Sequence, residues 1–400
     1  MKKIIPYGRQ HITEADLHAV QETLLSDFLT QGPKIQEFES AFANYVGSTY
    51  AVALSNGTAA LHLSVMALGI QKDEYVICSP ITFSASANCV RYCGANVLFA
   101  DIDPETYLLD IESVKNVIAE NSDKKIRGII PVDFAGRVVD LEAFRQLADE
   151  HDLWILEDAC HAPGGFFLDH KKQKQRAGNG KFADASIFSF HPVKHIATGE
   201  GGMITTDNKR LYEHLLELRT HGITRNRGVF ENSIEWANGN AEGQVNDYPA
   251  WYMEMRDLGY NYRITDVQCS LGIKQLERAD EGLKRRRSIA KKYTDELSGT
   301  SGIISCSGAV EGHAYHLYVL EVMDRRGLYD HLRQQGIYCQ VHYVPVHLMP
   351  YYKRLGWKLG DLPNAEEYYS RCLSVPMFPT LTDEEQNYVI EQIKWFYQRS

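Results

Sequence analysis

Six short apolar runs between residues 51 and 190 constrain this chain more than any other feature. They are Ala51–Leu54, Tyr75–Cys78, Val97–Ala100, Gly128–Val132, Leu153–Leu156 and Ala185–Phe190. Each is continuous in apolar character rather than alternating, the pattern of strands covered on both faces. Helical patterns lie between several of them. Thr58–Leu68 carries Leu61, Val65, Met66 and Leu68 on helical spacing, and Asp140–His151 is a second case. Strand–helix alternation of this kind predicts an α/β domain with a mostly parallel sheet. Gly199-Glu200-Gly201-Gly202 breaks the rhythm, followed by a strand-like Met203–Thr206 and a helical Lys209–Leu218.

Beyond this the pattern changes. Residues 226–256 are polar and rich in Asn and Gly, with Tyr248, Trp251, Tyr252 and Met253 clustered near the end. A loop of this length inside a compact chain is usually functional or mobile. One long helical pattern is predicted from Thr265 to about Leu297. A strand-like Tyr315–Val322, a helical Leu328–Gln335 and a terminal helix from Asp383 complete a smaller α+β domain. The expected division is a large domain over 1–258, including the 226–256 insertion, and a small one over 259–400. At 400 residues two domains are the default, with enough chain to bury a core without disulfides.

Composition excludes several classes. The 42 Lys and Arg against 52 Asp and Glu leave a net charge of -10, which argues against a nucleic-acid partner. The basic runs His170–Arg176 and Lys284–Arg287 read as a solvated loop and helix face. No stretch approaches the ~20 apolar residues of a membrane span, and Met1–Pro6 is followed by no apolar leader core. A cytoplasmic protein is expected. Eight cysteines without a C-x-x-C pair, mostly within apolar runs, predict reduced and largely buried thiols. The pairs His191/His195 and His342/His347 suggest no metal, since Pro192 discourages the helix that an i,i+4 zinc pair needs.

Glycine-rich dinucleotide and nucleotide motifs, H-E-x-x-H and G-x-S-x-G are all missing. Three segments do carry chemistry. Asp158 ends an apolar strand in Ile155–Ala162, and ligands of parallel α/β sheets bind outside the carboxyl ends of strands. Lys194, in Phe188–Gly202, also follows a strand, between His191 and His195. Neighbouring apolar groups and cations at such a place lower an amine's pKa toward nucleophilic reactivity. Ser55–Leu61 ends a strand at Gly57 and opens a helix, where free N–H groups and the Thr58 hydroxyl suit an anion. Taken singly, each is as well read as a cap, a turn or a surface lysine. Together they match the needs of pyridoxal phosphate: a helix start for its phosphate, a carboxylate for its ring nitrogen and a lysine for its aldehyde.

Asn56–Leu61, Glu157–His161, Ser189–Lys194 and Gly199–Gly202 resemble the sugar-nucleotide aminotransferases of the DegT/DnrJ/EryC1/StrS family. Leu29–Pro33, Gly259–Asp266 and Val341–His347 extend the resemblance over nearly the whole chain. It implies the fold type I of pyridoxal-phosphate-dependent transferases, with a mostly parallel seven-stranded sheet between helices and a smaller α+β C-terminal domain. It also implies pyridoxal 5′-phosphate as cofactor, alternating with pyridoxamine 5′-phosphate. Lys194 would bond the cofactor and move the proton, and Asp158 would pair with the ring nitrogen. His161 would meet the ring hydroxyl, a place where many relatives have Gln. Gly57, Thr58, Ala59 and Ser189 would hold the phosphate, completed by Asn261 from a second subunit of a homodimer. Thr30, Arg263, His342 and Tyr343 would hold the nucleotide-sugar. The resemblance is greatest to members that aminate C4 of a UDP-linked 4-keto-6-deoxy-N-acetylhexosamine for pseudaminic acid. These take the amino group from L-glutamate and release 2-oxoglutarate. Keeping Lys194, where some relatives carry His and dehydrate, favours amination. The rivals are amination at C3 or C4 of another UDP- or dTDP-keto-sugar, a non-catalytic regulator, and a dinucleotide-dependent sugar enzyme. Trp251 and Tyr252 are further candidates to approach the substrate.

Overall fold

The apolar runs pair into one sheet in the computed structural model, which describes residues 4–239 and 246–399. Met1–Lys3, Ser400 and residues 240–245 of the 226–256 segment lie outside the described residues. The strands are β1 (Tyr50–Leu54), β2 (Tyr75–Cys78), β3 (Asn96–Phe99), β4 (Ile126–Ile130), β5 (Trp154–Asp158), β6 (Ala185–Ser189) and β7 (Gly202–Thr206), in the order β1-β7-β6-β5-β4-β2-β3. β2–β3, β2–β4, β4–β5 and β5–β6 pair in parallel. β7 is antiparallel to both its neighbours. All five residues of β5 and of β7 are buried, as strands covered on both faces require. Because β7 reverses between β6 and β1, the carboxyl ends of β1, β5 and β6 emerge at the same edge.

The helical patterns form as spaced, Gly57–Ala67 and Leu141–Glu150 among them. The 265–297 pattern is not one helix. Asp266–Glu277 and Ala279–Leu297 are separated at Arg278, whose backbone leaves helical geometry (φ -107°, ψ 5°). The Arg278 guanidinium donates to Asp16 at 2.8 Å and to the His11 carbonyl at 3.1 Å, which anchors the break to the N-terminal segment. Asp266–Glu277 starts on a capping box between Thr265 and Gln268. It packs against the Pro33–Val46 helix, where a Cβ on Gly272 would stand 2.7 Å from the Phe38 ring.

A second antiparallel sheet joins β8 (Ile303–Cys306), β9 (Tyr318–Val322) and β10 (Cys372–Val375). Tyr293, Tyr318, Leu320, Leu332 and Ile393 build its core together with Ile5, from the other end of the chain. All eight cysteines are free. Among the described residues no helix is long and apolar enough to cross a membrane.

Candidate active site

The sheet edge defined by β1, β5 and β6 opens into a cavity of about 800 Å³. At its β1 side, Asn56 adopts extended backbone and caps the Gly57–Ala67 helix, its side chain accepting the Ala59 N–H at 2.8 Å. The Ala59 donor is thereby used inside the cap, and Gly57 and Thr58 supply the helix-start N–H groups at the cavity. A Cβ on Gly57 would stand 3.0 Å from Ser189 Cβ, so glycine lets the helix start abut the end of β6. A Cβ on Gly202 would stand 2.4 Å from the Asn56 carbonyl, so the cap also needs glycine behind it.

Asp158 stands at the end of β5 and is 5% exposed. Ser86 Oγ donates to its Oδ2 at 2.6 Å and the Cys160 N–H to its Oδ1 at 3.2 Å. Both oxygens are therefore oriented while the carboxylate still lines the cavity. Lys194 lies half-buried in the loop after β6, its N–H donating to the His191 carbonyl at 2.8 Å. Burial lowers its pKa and the Arg286 charge adds to this, against the pull of Cys160 and Asp158. A depressed amine pKa raises the fraction of nucleophilic base.

His161 receives the Ala135 N–H on Nδ1 at 3.2 Å, which places its proton on Nε2, 3.3 Å from the Tyr343 hydroxyl. Burial, then Lys194, His342 and His195, hold its pKa well below the ordinary range. A neutral imidazole aims a donor into the cavity. Behind it the rings form a column, His161 to His316 at 4.3 Å and His316 to His195 at 5.9 Å. Arg286, 1% exposed, donates to the carbonyls of Tyr315, His316 and Met377 and forms no carboxylate ion pair among the described residues. Its burial lowers its pKa to about 9.

The histidines give the fold a pH dependence. His161, His313 and His316 are each at most 5% exposed, and burial holds all three below the ordinary value of 6.5. The unfolded chain then takes up protons first, so stability present above pH 6.5 is lost as the pH falls below it. The loss is about 1.4 kcal/mol per histidine per pH unit. Thermal melts from pH 7.5 to 5.5 should show a steep drop in Tm, and one that His316→Phe makes shallower.

Gly57, Thr58, Ala59, Asp158, His161, Ser189, Lys194, His342 and Tyr343 all line this one cavity. Three expected site residues do not. Thr30 is exposed and bridges to Thr265, Asn261 is exposed and bridges to Thr220, and Arg263 bridges to Leu54. Trp251 and Tyr252 line a different cavity of about 600 Å³ with Trp236 and Arg256. Tyr7, Phe83, Ser86 and Tyr262 line the first cavity and escaped the sequence reading. Only topology points to Ser86, on the helix that follows β2, two strands from β5. Tyr7 comes from a segment with no periodic pattern.

The chain matches the DegT/DnrJ/EryC1/StrS aminotransferase family over residues 10–394. It is 38% identical to the spore coat polysaccharide biosynthesis protein SpsC of Bacillus subtilis, covering 98% of this chain and 96% of that protein. It is 33% identical to the UDP-4-amino-4,6-dideoxy-N-acetyl-beta-L-altrosamine transaminase of Campylobacter jejuni, covering 96% of each. The structure of Helicobacter pylori PseC, an aminotransferase of pseudaminic acid biosynthesis, superposes with a TM-score of 0.87 at 26% identity and covers all of both chains. The cavity and these likenesses agree: the chain belongs to the DegT/DnrJ/EryC1/StrS family and is a pyridoxal-phosphate-dependent sugar aminotransferase.

Proposed function

We propose that this enzyme moves an amino group from L-glutamate to C4 of a UDP-linked 4-keto-6-deoxy-N-acetylhexosamine, as in pseudaminic acid synthesis. The observation that carries the amination is the convergence of Lys194, Asp158 and the Gly57–Thr58 helix start in one cavity. The sugar assignment is supported by the C. jejuni transaminase, similar over 96% of both chains. A second reading, amination of a different UDP- or dTDP-keto-sugar at C3 or C4, is favoured by the 38% identity to SpsC. Product analysis by NMR with 4-keto and 3-keto UDP- and dTDP-sugars decides between them. A UDP-linked 4-amino-4,6-dideoxy-N-acetylhexosamine as the sole product supports the first reading, and a 3-amino product, a dTDP-linked product or a 4-amino product of any other UDP-sugar replaces it with the second.

The residues present fit the cofactor. Asp158 is a buried carboxylate whose two oxygens are already oriented by Ser86 and Cys160, leaving its charge for a protonated ring nitrogen. The Gly57 and Thr58 N–H groups and the Ser189 hydroxyl suit the phosphate, whereas Ala59 takes part through its position only. The His161 Nε2–H suits the ring hydroxyl. Bound pyridoxal phosphate would supply an aldehyde that bonds amines and a ring that takes up the electron pair left on a deprotonated carbon. Lys194 provides the amine that attaches it, and then takes a proton from one carbon and returns it to another. Such transfer contributes typically ~10²–10⁴ in rate. His342 and Tyr343 line the same cavity and are assigned to the sugar.

Thr30, Asn261 and Arg263 lie outside the cavity of their own chain, and we assign them to the site of a second copy in a homodimer. Mixing the separately inactive variants Lys194→Ala and Asn261→Ala should then restore activity, since one site of the mixed dimer is intact. Activity that stays absent in a mixture shown by mass to contain mixed dimers contradicts the shared site.

A further inference from the structure

Behind Asp158 the chain buries two carboxyl groups that the reading above leaves unused. Asp133 is 0% exposed and Glu157 1%. Glu157 precedes Asp158 on β5, so its side chain leaves the opposite face of the strand. Asp133 follows β4. Its N–H donates to the Asp158 carbonyl at 3.0 Å while the Asp158 N–H donates to the Pro131 carbonyl at 2.9 Å. This stitches Asp133 to the strand end that carries Asp158.

Each carboxyl group has one oxygen committed to ordinary donors. Asp133 Oδ1 accepts the Val139 N–H at 2.9 Å. Glu157 Oε2 accepts the Gly178 N–H at 2.9 Å and the Ser186 hydroxyl. The remaining oxygens, Asp133 Oδ2 and Glu157 Oε1, are buried and have no hydrogen-bond partner among the described residues, and the two carboxyl groups are close enough for each to act on the other's titration. No lysine, arginine or histidine among the described residues forms an ion pair with either, and the charge that acts on both, Asp158, has the same sign. Two ionised carboxylates cannot satisfy each other, because an ionised carboxylate only accepts, whereas a protonated one donates. Like-charged carboxylates that share a site keep a proton between them.

We infer that Asp133 and Glu157 share one proton, carried on Asp133, and form a carboxyl–carboxylate pair that braces the strand end bearing Asp158. Burial first and Glu157 second push the Asp133 carboxyl well above its usual range. Burial also raises Glu157, opposed by Ser186 and Gly178. The pair is a positioning device, and only its consequence for the cofactor rests on the proposed role of Asp158.

Infrared spectra of the full chain at neutral pH, with and without pyridoxal phosphate, test the proton directly. The expected result is the carbonyl stretch of a protonated carboxylic acid. It should shift on labelling aspartate carboxyls with ¹³C and vanish in Asp133→Asn, whose amide still donates to Glu157. That variant should melt within about 3 °C of the parent, since it keeps every hydrogen bond. Absence of the band overturns the inference, as does a band that neither shifts with labelled aspartate nor vanishes in Asp133→Asn. A marked rise in Tm in Asp133→Asn also overturns it, because relief of repulsion would mean both groups are ionised. For the positioning role, Asp133→Leu leaves Glu157 Oε1 without a donor and should weaken cofactor binding about tenfold, while Asp133→Asn stays within about twofold. Equal losses in both variants contradict the role. A parent protein that binds no pyridoxal phosphate yet shows the band would sink the proposed function and leave the shared proton standing.

Discussion

Replacing Lys194 by Ala is expected to lower turnover by at least about 10³-fold, the upper part of the range for a positioned acid–base group, since the proposed function has the same amine attach the cofactor. The physical basis is the position of Lys194 in the cavity with Asp158 and the helix start, and a pKa lowered chiefly by burial. The substitution removes a side chain at a half-buried loop position, so Tm should move little. Lys194→Arg is the sharper control. It keeps a cation and N–H donors there, but the guanidinium stays protonated and cannot act as a base. It should be as inactive as the alanine variant. Single-turnover measurements with L-glutamate read the loss in the first half-reaction, before any sugar is involved, so this result is independent of the sugar assignment.

The second large effect belongs to Asp158. Asp158→Asn keeps the shape and one acceptor for Ser86, but removes the charge that the proposed function sets against the cofactor's ring nitrogen. Breaking a buried charge pair by neutralising one partner costs about 3–5 kcal/mol, equivalent to roughly 10²–10⁴-fold. That loss should be divided between cofactor affinity and turnover, visible as a raised Kd for pyridoxal phosphate and a lowered kcat at saturating cofactor. Ser86→Ala should give a smaller loss in the same direction, about 1.5–3 kcal/mol for one hydrogen bond to a charged group that retains its Cys160 contact. A full effect from Ser86→Ala with none from Asp158→Asn would reverse the assigned roles.

Much of this was legible in the sequence because it depends on local pattern. Continuous apolar runs mark covered strands, and all six lie in the sheet. The ends of those runs place Asp158, Ser189 and Lys194 at one edge as soon as the strand directions are known. What was not legible depends on contacts distant in sequence. Ser86 reaches Asp158 across 72 positions, and no spacing motif encodes that. Asp133 reads as a polar residue in a turn until Glu157 is found beside it. The 265–297 helical periodicity conceals the break at Arg278, because periodicity reports the face of a helix and not its caps; the ion pair with Asp16 comes from elsewhere in the chain. The family resemblance reached Thr30, Asn261 and Arg263, which local physics alone reads as turn and bridge residues, and which lie outside the cavity of a single chain.

The central claim is that Lys194 is the amine that attaches pyridoxal phosphate in this cavity. Borohydride reduction of the purified, cofactor-loaded enzyme followed by peptide mass mapping tests it most directly. A phosphopyridoxyl group on Lys194 and on no other lysine is the expected result. A protein that retains no cofactor, or one labelled at a different lysine, would contradict it.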